Sequence, residues 1–176
     1  MAGPRVVVRR LCRSDAAALL VAHRASTALH HPWVSPCLEQ AGFDAWFART
    51  LGQDYVSLIA FEAVGHRVAG VFNCSQISRG NLQSAYLGYY ACAPFAGTGL
   101  MGEAMPQVLA HLFDVVGLHR IEANIQPDNQ RSIALARGAG FRLEGYSPRY
   151  LKIDGHWRDH ERWALLADEV GVSAPP

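Results

Sequence analysis

Lysine is nearly absent from this chain of 176 residues: Lys152 is the only one, and arginine supplies the rest of the basic set. The 16 basic and 15 acidic side chains leave a formal net charge of +1. So small a charge gives no electrostatic footprint for a nucleic-acid or membrane partner. Cysteine is sparse. Cys12, Cys37, Cys74 and Cys92 contain no Cys-x-x-Cys pair, which excludes the common zinc spacings. A chain of this length has no need of disulfide staples, so free thiols in a reducing, cytoplasmic setting are expected. No apolar run reaches membrane-spanning length, and the opening "MAGPRVVVRR" has no apolar stretch of signal-peptide length.

What is there is a globular composition, with 50% hydrophobic and 18% charged residues. One domain over residues 1–176 is expected, with its core over about 5–168 and a flexible tail at 169–176. "PRVVVRRL" reads as a strand, and Ser14 or Asp15 as the cap of a helix over "AAALLVAHRAS". "TALHHPWVSPC" reads as a loop. "LEQAGFDAWFARTLG" carries Phe43, Trp46, Phe47 and Leu51 at helical spacing and ends at Gly52. Three β-type runs follow: "YVSLIAFEA", "RVAGVFNCSQIS" and "SAYLGYYACA". From Leu100 to Val116 the apolar period becomes helical, with Pro106 inside, where a kink or irregularity is expected. "HRIEANIQ" is a strand and "NQRSIALARGAG" a helix. The last two strands turn back on each other through Asp154-Gly155. The order β-α-α-β-β-β-α-β-α-β-β implies an α+β fold, one sheet covered by helices.

Between the third β run and the long helix stands "FAGTGLMGEA". Glycines let backbone approach a ligand closely, and a helix start offers unpaired N–H groups and partial positive charge. Together they suit a phosphate. The same residues also suit a tight turn that binds nothing. No Gly-Lys-Ser/Thr follows, so this is not a Walker loop. The position after the third β run also excludes a dinucleotide fingerprint.

Four segments in order decide more than the turn alone: "HHPWVSP", "GTGLMGEA", "HRIEANIQPDNQRS" and "GYSPRYLKIDGHWRDH". With them the chain resembles the GNAT superfamily of acetyl-CoA-dependent N-acetyltransferases, and more narrowly its RimJ/RimL branch, over about residues 5–168. The resemblance implies a mixed, mostly antiparallel sheet with splayed central strands and helices on both faces. It implies acetyl-CoA as co-substrate, with no metal. Ala96, Gly97, Thr98, Gly99, Leu100 and Met101 would cradle the pyrophosphate. Pro94 stands where the family usually has Gln or Arg, so one side-chain contact is missing. Tyr90, Ala91 and Cys92 would line the pantetheine arm, with an N–H near Cys92 polarising the thioester carbonyl. Asn129 would touch the pantetheine or pyrophosphate region, and is equally a helix cap.

On a strand, Glu122 and Asn124 face one way and Ile121, Ala123 and Ile125 the other. A carboxylate among apolar neighbours suits a general base, acting directly or through water. A solvated or paired strand residue is the plainer alternative. Ser132 matches the Ser of Asn-x-x-Ser and would protonate the leaving thiolate, unless it serves only the helix start. Cys92 lacks an activating neighbour in sequence, so direct transfer is expected rather than an acetyl-enzyme. His156 and His160 do not make a metal site. By resemblance the acceptor side is lined by the loop of His30, His31 and Trp33, by Asn124, and by Tyr150 and Trp157. Tyr146 from the same hairpin is weighed with them; packing is the commoner fate of such aromatics.

The expected acceptor is a protein or peptide N-terminal amine, as on a ribosomal protein. An α-amine with pKa near ~8 is roughly a tenth neutral at pH 7, whereas a lysine amine near ~10.4 is under about 0.1% neutral. A site with weak base equipment therefore suits the α-amine. The same reasoning admits a small amine or antibiotic. A non-catalytic acyl-CoA sensor of the same fold is the reading from another class, and thiol release separates the two. A monomer or homodimer is expected.

Overall fold

The computed structural model describes residues 3–170. The apolar alternations become β1 (Val6–Arg10), β2 (Tyr55–Glu62), β3 (Val68–Ser78), β4 (Ser84–Ala91), β5 (Arg120–Ile125), β6 (Arg142–Ile153) and β7 (His156–Leu166). They form one sheet in the order β1-β2-β3-β4-β5-β7-β6. Every neighbouring pair is antiparallel except β4–β5. That parallel pair needs a crossover, supplied by α4 (Leu100–Ala110). The remaining helices are α1 (Ala16–Ala25), α2 (Thr27–His30), α3 (Gln40–Arg49) and α5 (Gln130–Gly138).

Two apolar layers lie on opposite faces of the sheet. On one, Leu100, Met105, Val108 and Leu112 pack with Phe72, Leu87, Ile121 and Ile133. On the other, Leu19 and Leu20 of α1 and Phe43 and Trp46 of α3 pack over Ile59, Phe61 and Val71. The fold is the mixed α+β arrangement expected, with helices on both faces.

Several local expectations need correction. Thr27–His30 forms a helical turn within the stretch read as loop. Asp15 is not a simple helix cap: it ends a 3-10 turn (Arg13–Asp15), accepts the Cys12 amide at 2.8 Å and pairs with Arg9 at 2.7 Å. α3 stops at Arg49, so Leu51 falls outside it and is exposed. α4 runs through Pro106, and the irregularity comes later, as a π-helical turn at His111–Val115. The amide that Pro106 lacks would have bonded Gly102, whose exposed, side-chain-free position leaves its carbonyl open to solvent. Glu169 is not loose: its carboxylate accepts the Leu166 amide at 2.9 Å and pairs with Arg142. The rest of the expected tail, residues 171–176, lies outside the described residues.

Candidate active site

β4 and β5 part company soon after they meet. They pair only at Ser84–Arg120, Ala85–Ile121 and Tyr86–Glu122, although β4 continues to Ala91 and β5 to Ile125. Beyond Tyr86 the β4 backbone is paired on its β3 side alone. In an antiparallel ladder alternate residues turn their N–H and C=O groups toward one neighbour. Cys92 sits on the β3 side of that alternation and donates its N–H to Ala69 O at 2.8 Å. The Cys92 amide itself is therefore already engaged. Tyr89 and Ala91 hold the opposite phase, and their N–H groups face the wedge. Cys92 is fully buried, and burial pushes its thiol up to about 12. A thiol that resists ionisation so strongly is a poor nucleophile.

The wedge leads to the glycine turn. Gly97 and Gly99 have φ of 79° and 87°, the left-handed region that glycine enters without strain. The Thr98 amide is spent inside the turn, on Phe95 O at 3.2 Å, and its hydroxyl binds the same carbonyl at 2.6 Å. Among the described residues no backbone acceptor takes the amides of Ala96, Gly97, Gly99, Leu100 or Met101. A Cβ added at Gly97 meets no atom within 4 Å, so space lies open above these donors. Arg5 reaches the turn from before β1, with Nη2 3.4 Å from Thr98 O, and also pairs with Glu103. Open space, free amides and the helix start fit a polyphosphate.

Glu122 does not stand among apolar groups. Its carboxylate accepts Arg120 Nε at 2.8 Å, two residues earlier on the same strand face. Arg120 is shared with Glu144 on β6. These hydrogen bonds, that to Glu144 above all, raise the Arg120 pKa. In register Glu122 lies beside Tyr86, whose pKa the neighbouring Tyr150 hydroxyl raises. Asn124 follows on that face, half-buried, and its buried Oδ1 has no partner among the described residues. Asn129 caps α5: its Oδ1 accepts the Ser132 amide at 3.2 Å. Tyr89 OH donates to Ser132 O at 2.9 Å, tying the start of α5 to the wedge.

Across the sheet, His31 is exposed and Trp33 half-buried, while Trp157 near the hairpin tip is 60% exposed. Three histidines are buried among the described residues, His160 on β7 and the pair His23 and His30. His23 Nδ1–H donates to Cys37 O at 2.8 Å, and its Nε2 accepts from Tyr90 OH at 3.2 Å. His30 Nε2–H donates to Ala91 O at 2.9 Å, and its buried Nδ1 has no partner among the described residues. Burial lowers the pKa of both. A cleft of about 380 Å³ opens beside this pair, lined by Trp46 and Arg49 of α3, Asn73 of β3, and Gly88 and Tyr90 of β4. No group of three potential metal-ligating side chains stands together among the described residues.

A family model for the acetyltransferase (GNAT) domain matches residues 5–142. The chain belongs to this family. The [Ribosomal protein uS5]-alanine N-acetyltransferase of Escherichia coli is 41% identical over 109 residues, 62% of this chain and 56% of that protein. A probable N-acetyltransferase, YjcK of Bacillus subtilis, is 40% identical over 106 residues, 60% of this chain and 59% of its own length. The match thus spans little more than half of these relatives. The structure of Mycobacterium smegmatis RimJ in complex with CoA-disulfide superposes with a TM-score of 0.84 at 29% identity, covering 94% of this chain and 84% of that one. Ribosomal-protein-S5-alanine acetyltransferase from Vibrio fischeri gives 0.82 at 25% identity, covering 97% of each.

Within this GNAT domain Glu122 and Asn124 lie on β5 at the β4–β5 opening, the glycine turn follows β4, and Tyr89 OH ties Ser132 to β4. His31 and Trp157 are exposed. Sequence reasoning missed His23, Arg49, Asn73 and the Arg120 clamp. Only the last carried a local signal, because residues two apart on a strand share a face.

Proposed function

We propose that the chain is an acetyl-CoA-dependent N-acetyltransferase that passes the acetyl group directly to a primary amine, a protein or peptide N-terminal α-amine first among them. The observation that carries this is the β4–β5 wedge, whose outward amides run into the turn where the amides of residues 96, 97, 99, 100 and 101 have no backbone acceptor among the described residues. In this reading the polyphosphate lies on the turn and the pantetheine arm lies along β4 like an added strand. The Tyr89 and Ala91 amides point at its carbonyl groups. A preorganised N–H stabilises the charge that develops on a thioester oxygen. The amine nitrogen attacks the carbonyl carbon, the C–N bond forms and the C–S bond breaks. Asn124 Oδ1 accepts an N–H of the amine and orients its lone pair. Glu122, directly or through water, takes the proton that nitrogen loses. Ser132 gives a proton to the departing thiolate and regains one from solvent. The names of the relatives support an N-terminal alanine as acceptor, and a carboxylate base held in an ion pair with Arg120 suits an α-amine over lysine.

The test is thiol release from acetyl-CoA by the purified protein with an alanyl peptide, an Nα-blocked lysyl peptide and a set of small amines. Release with the alanyl peptide well above the others is expected. No acceptor-dependent release with any amine would leave a CoA-binding domain without this activity.

A further inference from the structure

The cleft beside Tyr90 has a definite polarity. Trp46 Nε1–H can only donate, and it donates to Ser57 Oγ at 2.9 Å. The Ser57 hydroxyl then donates to Asn73 Oδ1 at 2.6 Å. Trp46 and Ser57 are buried, so this relay is shielded from water. It occupies the only acceptor atom of the Asn73 side chain and leaves the Nδ2 hydrogens for the cleft that Asn73 lines. Gly88, opposite Asn73 in register, keeps the floor clear: a Cβ there meets nothing within 4 Å. Arg49 stands at the rim, its guanidinium 4.9 Å from the Tyr55 ring centre. It takes part in none of the ion pairs of the described residues. No carboxylate of the described residues lines the cleft, and Glu122 on the same sheet face is held by Arg120.

We propose that the amine acceptor carries a carboxylate, held in this cleft by Arg49 and the Asn73 amide. The proposal rests on the acetyltransferase reading and narrows its substrate class. A planar guanidinium beside an oriented amide matches carboxylate oxygens, and such charge-assisted bonds are the strong ones. A polyamine would bring positive charge against Arg49. The carboxylate has two sources, an acidic side chain next to the N-terminus of a peptide or the α-carboxylate of a free amino acid.

The experiment compares C-terminally amidated Ala-Glu with C-terminally amidated Ala-Gln, and alanine with alaninamide, as acceptors of wild type, Arg49→Gln and Trp46→Phe. The readout is the ratio of kcat/KM for the acidic acceptor over its neutral partner within each protein, which cancels partial misfolding. A wild-type ratio of about tenfold or more is expected, carried by KM. Arg49→Gln should bring it near one, and Trp46→Phe, which frees the relay, should lower it in part. The pair that shows the preference identifies the source of the carboxylate. A wild-type ratio near one, or a ratio untouched by Arg49→Gln, overturns the proposal. Calorimetry with the same compounds reads the cleft without turnover. Tighter binding of the acidic member with no acetyl transfer would uphold the carboxylate site and sink the acetyltransferase reading. Acetyl transfer with no charge preference would do the reverse.

Discussion

His23 and His30 are buried as neutral rings, and that state has a cost that depends on pH. Burial lowers both folded-state pKa values below the ordinary value near ~6.5. The unfolded chain therefore binds protons first as pH falls. Their contribution to stability is complete above the unfolded pKa and is lost as pH drops below it. Denaturant midpoints should fall between about pH 7 and pH 5, and a His23→Gln, His30→Gln double variant should show a shallower fall. Burial lowers His111 and His160 in the same direction, so the slope should shrink without vanishing. A double variant with the wild-type slope would acquit these two rings. Glu122 offers a second test at this scale. If it takes the amine proton, Glu122→Gln should cut turnover about a hundredfold below the α-amine pKa near ~8, with the loss shrinking above it. A loss equal at every pH assigns Glu122 to its ion pair with Arg120. That pair explains why the residue was only half legible: Arg120 was visible two positions away, but Glu144 comes from another strand. The Asn73–Ser57–Trp46 relay is likewise assembled from three elements, and no local pattern announces it.

The glycine turn and the helix after it are where sequence and structure agree most closely. Strand, Gly-x-Gly and helical period stood in order along the chain, and α4 begins at Leu100 as read. Which N–H near Cys92 faces the wedge was not legible, because it depends on the phase of the β3–β4 ladder, and that phase is set by pairing between strands. Gly97→Val tests the turn. The protein leaves room for the added side chain, so a rise in the KM for acetyl-CoA of about tenfold or more would report on ligand approach. The left-handed φ adds a folding cost of about 1–2 kcal/mol, which a thermal melt reads separately. An unchanged KM in a folded Gly97→Val protein would move the phosphate elsewhere. Ser132→Ala should lower kcat at all pH values with acetyl-CoA binding nearly intact, and a thioester with a better leaving group should rescue it. Failure of that rescue would reduce Ser132 to its place at the start of α5.

Across the whole molecule, the decisive feature is a break in the sheet. Periodicity and turn residues were enough for seven strands and the crossover helix, because those signals are local. The parting of β4 and β5 has no such signature; it entered the reading only through resemblance to a family, and the register then located it at Tyr86 and Glu122. The account holds that this opening, flanked by the free amides of β4 and the glycine turn, brings thioester and amine together for direct transfer. A single-turnover reaction with isotopically labelled acetyl-CoA and an alanyl peptide, followed by intact mass of enzyme and peptide together, tests this most directly. The account predicts label on the peptide α-nitrogen at the rate of thiol release, with none on the enzyme at any time. Label accumulating stoichiometrically on the enzyme before the peptide is added, or no label on the peptide at all, would contradict it.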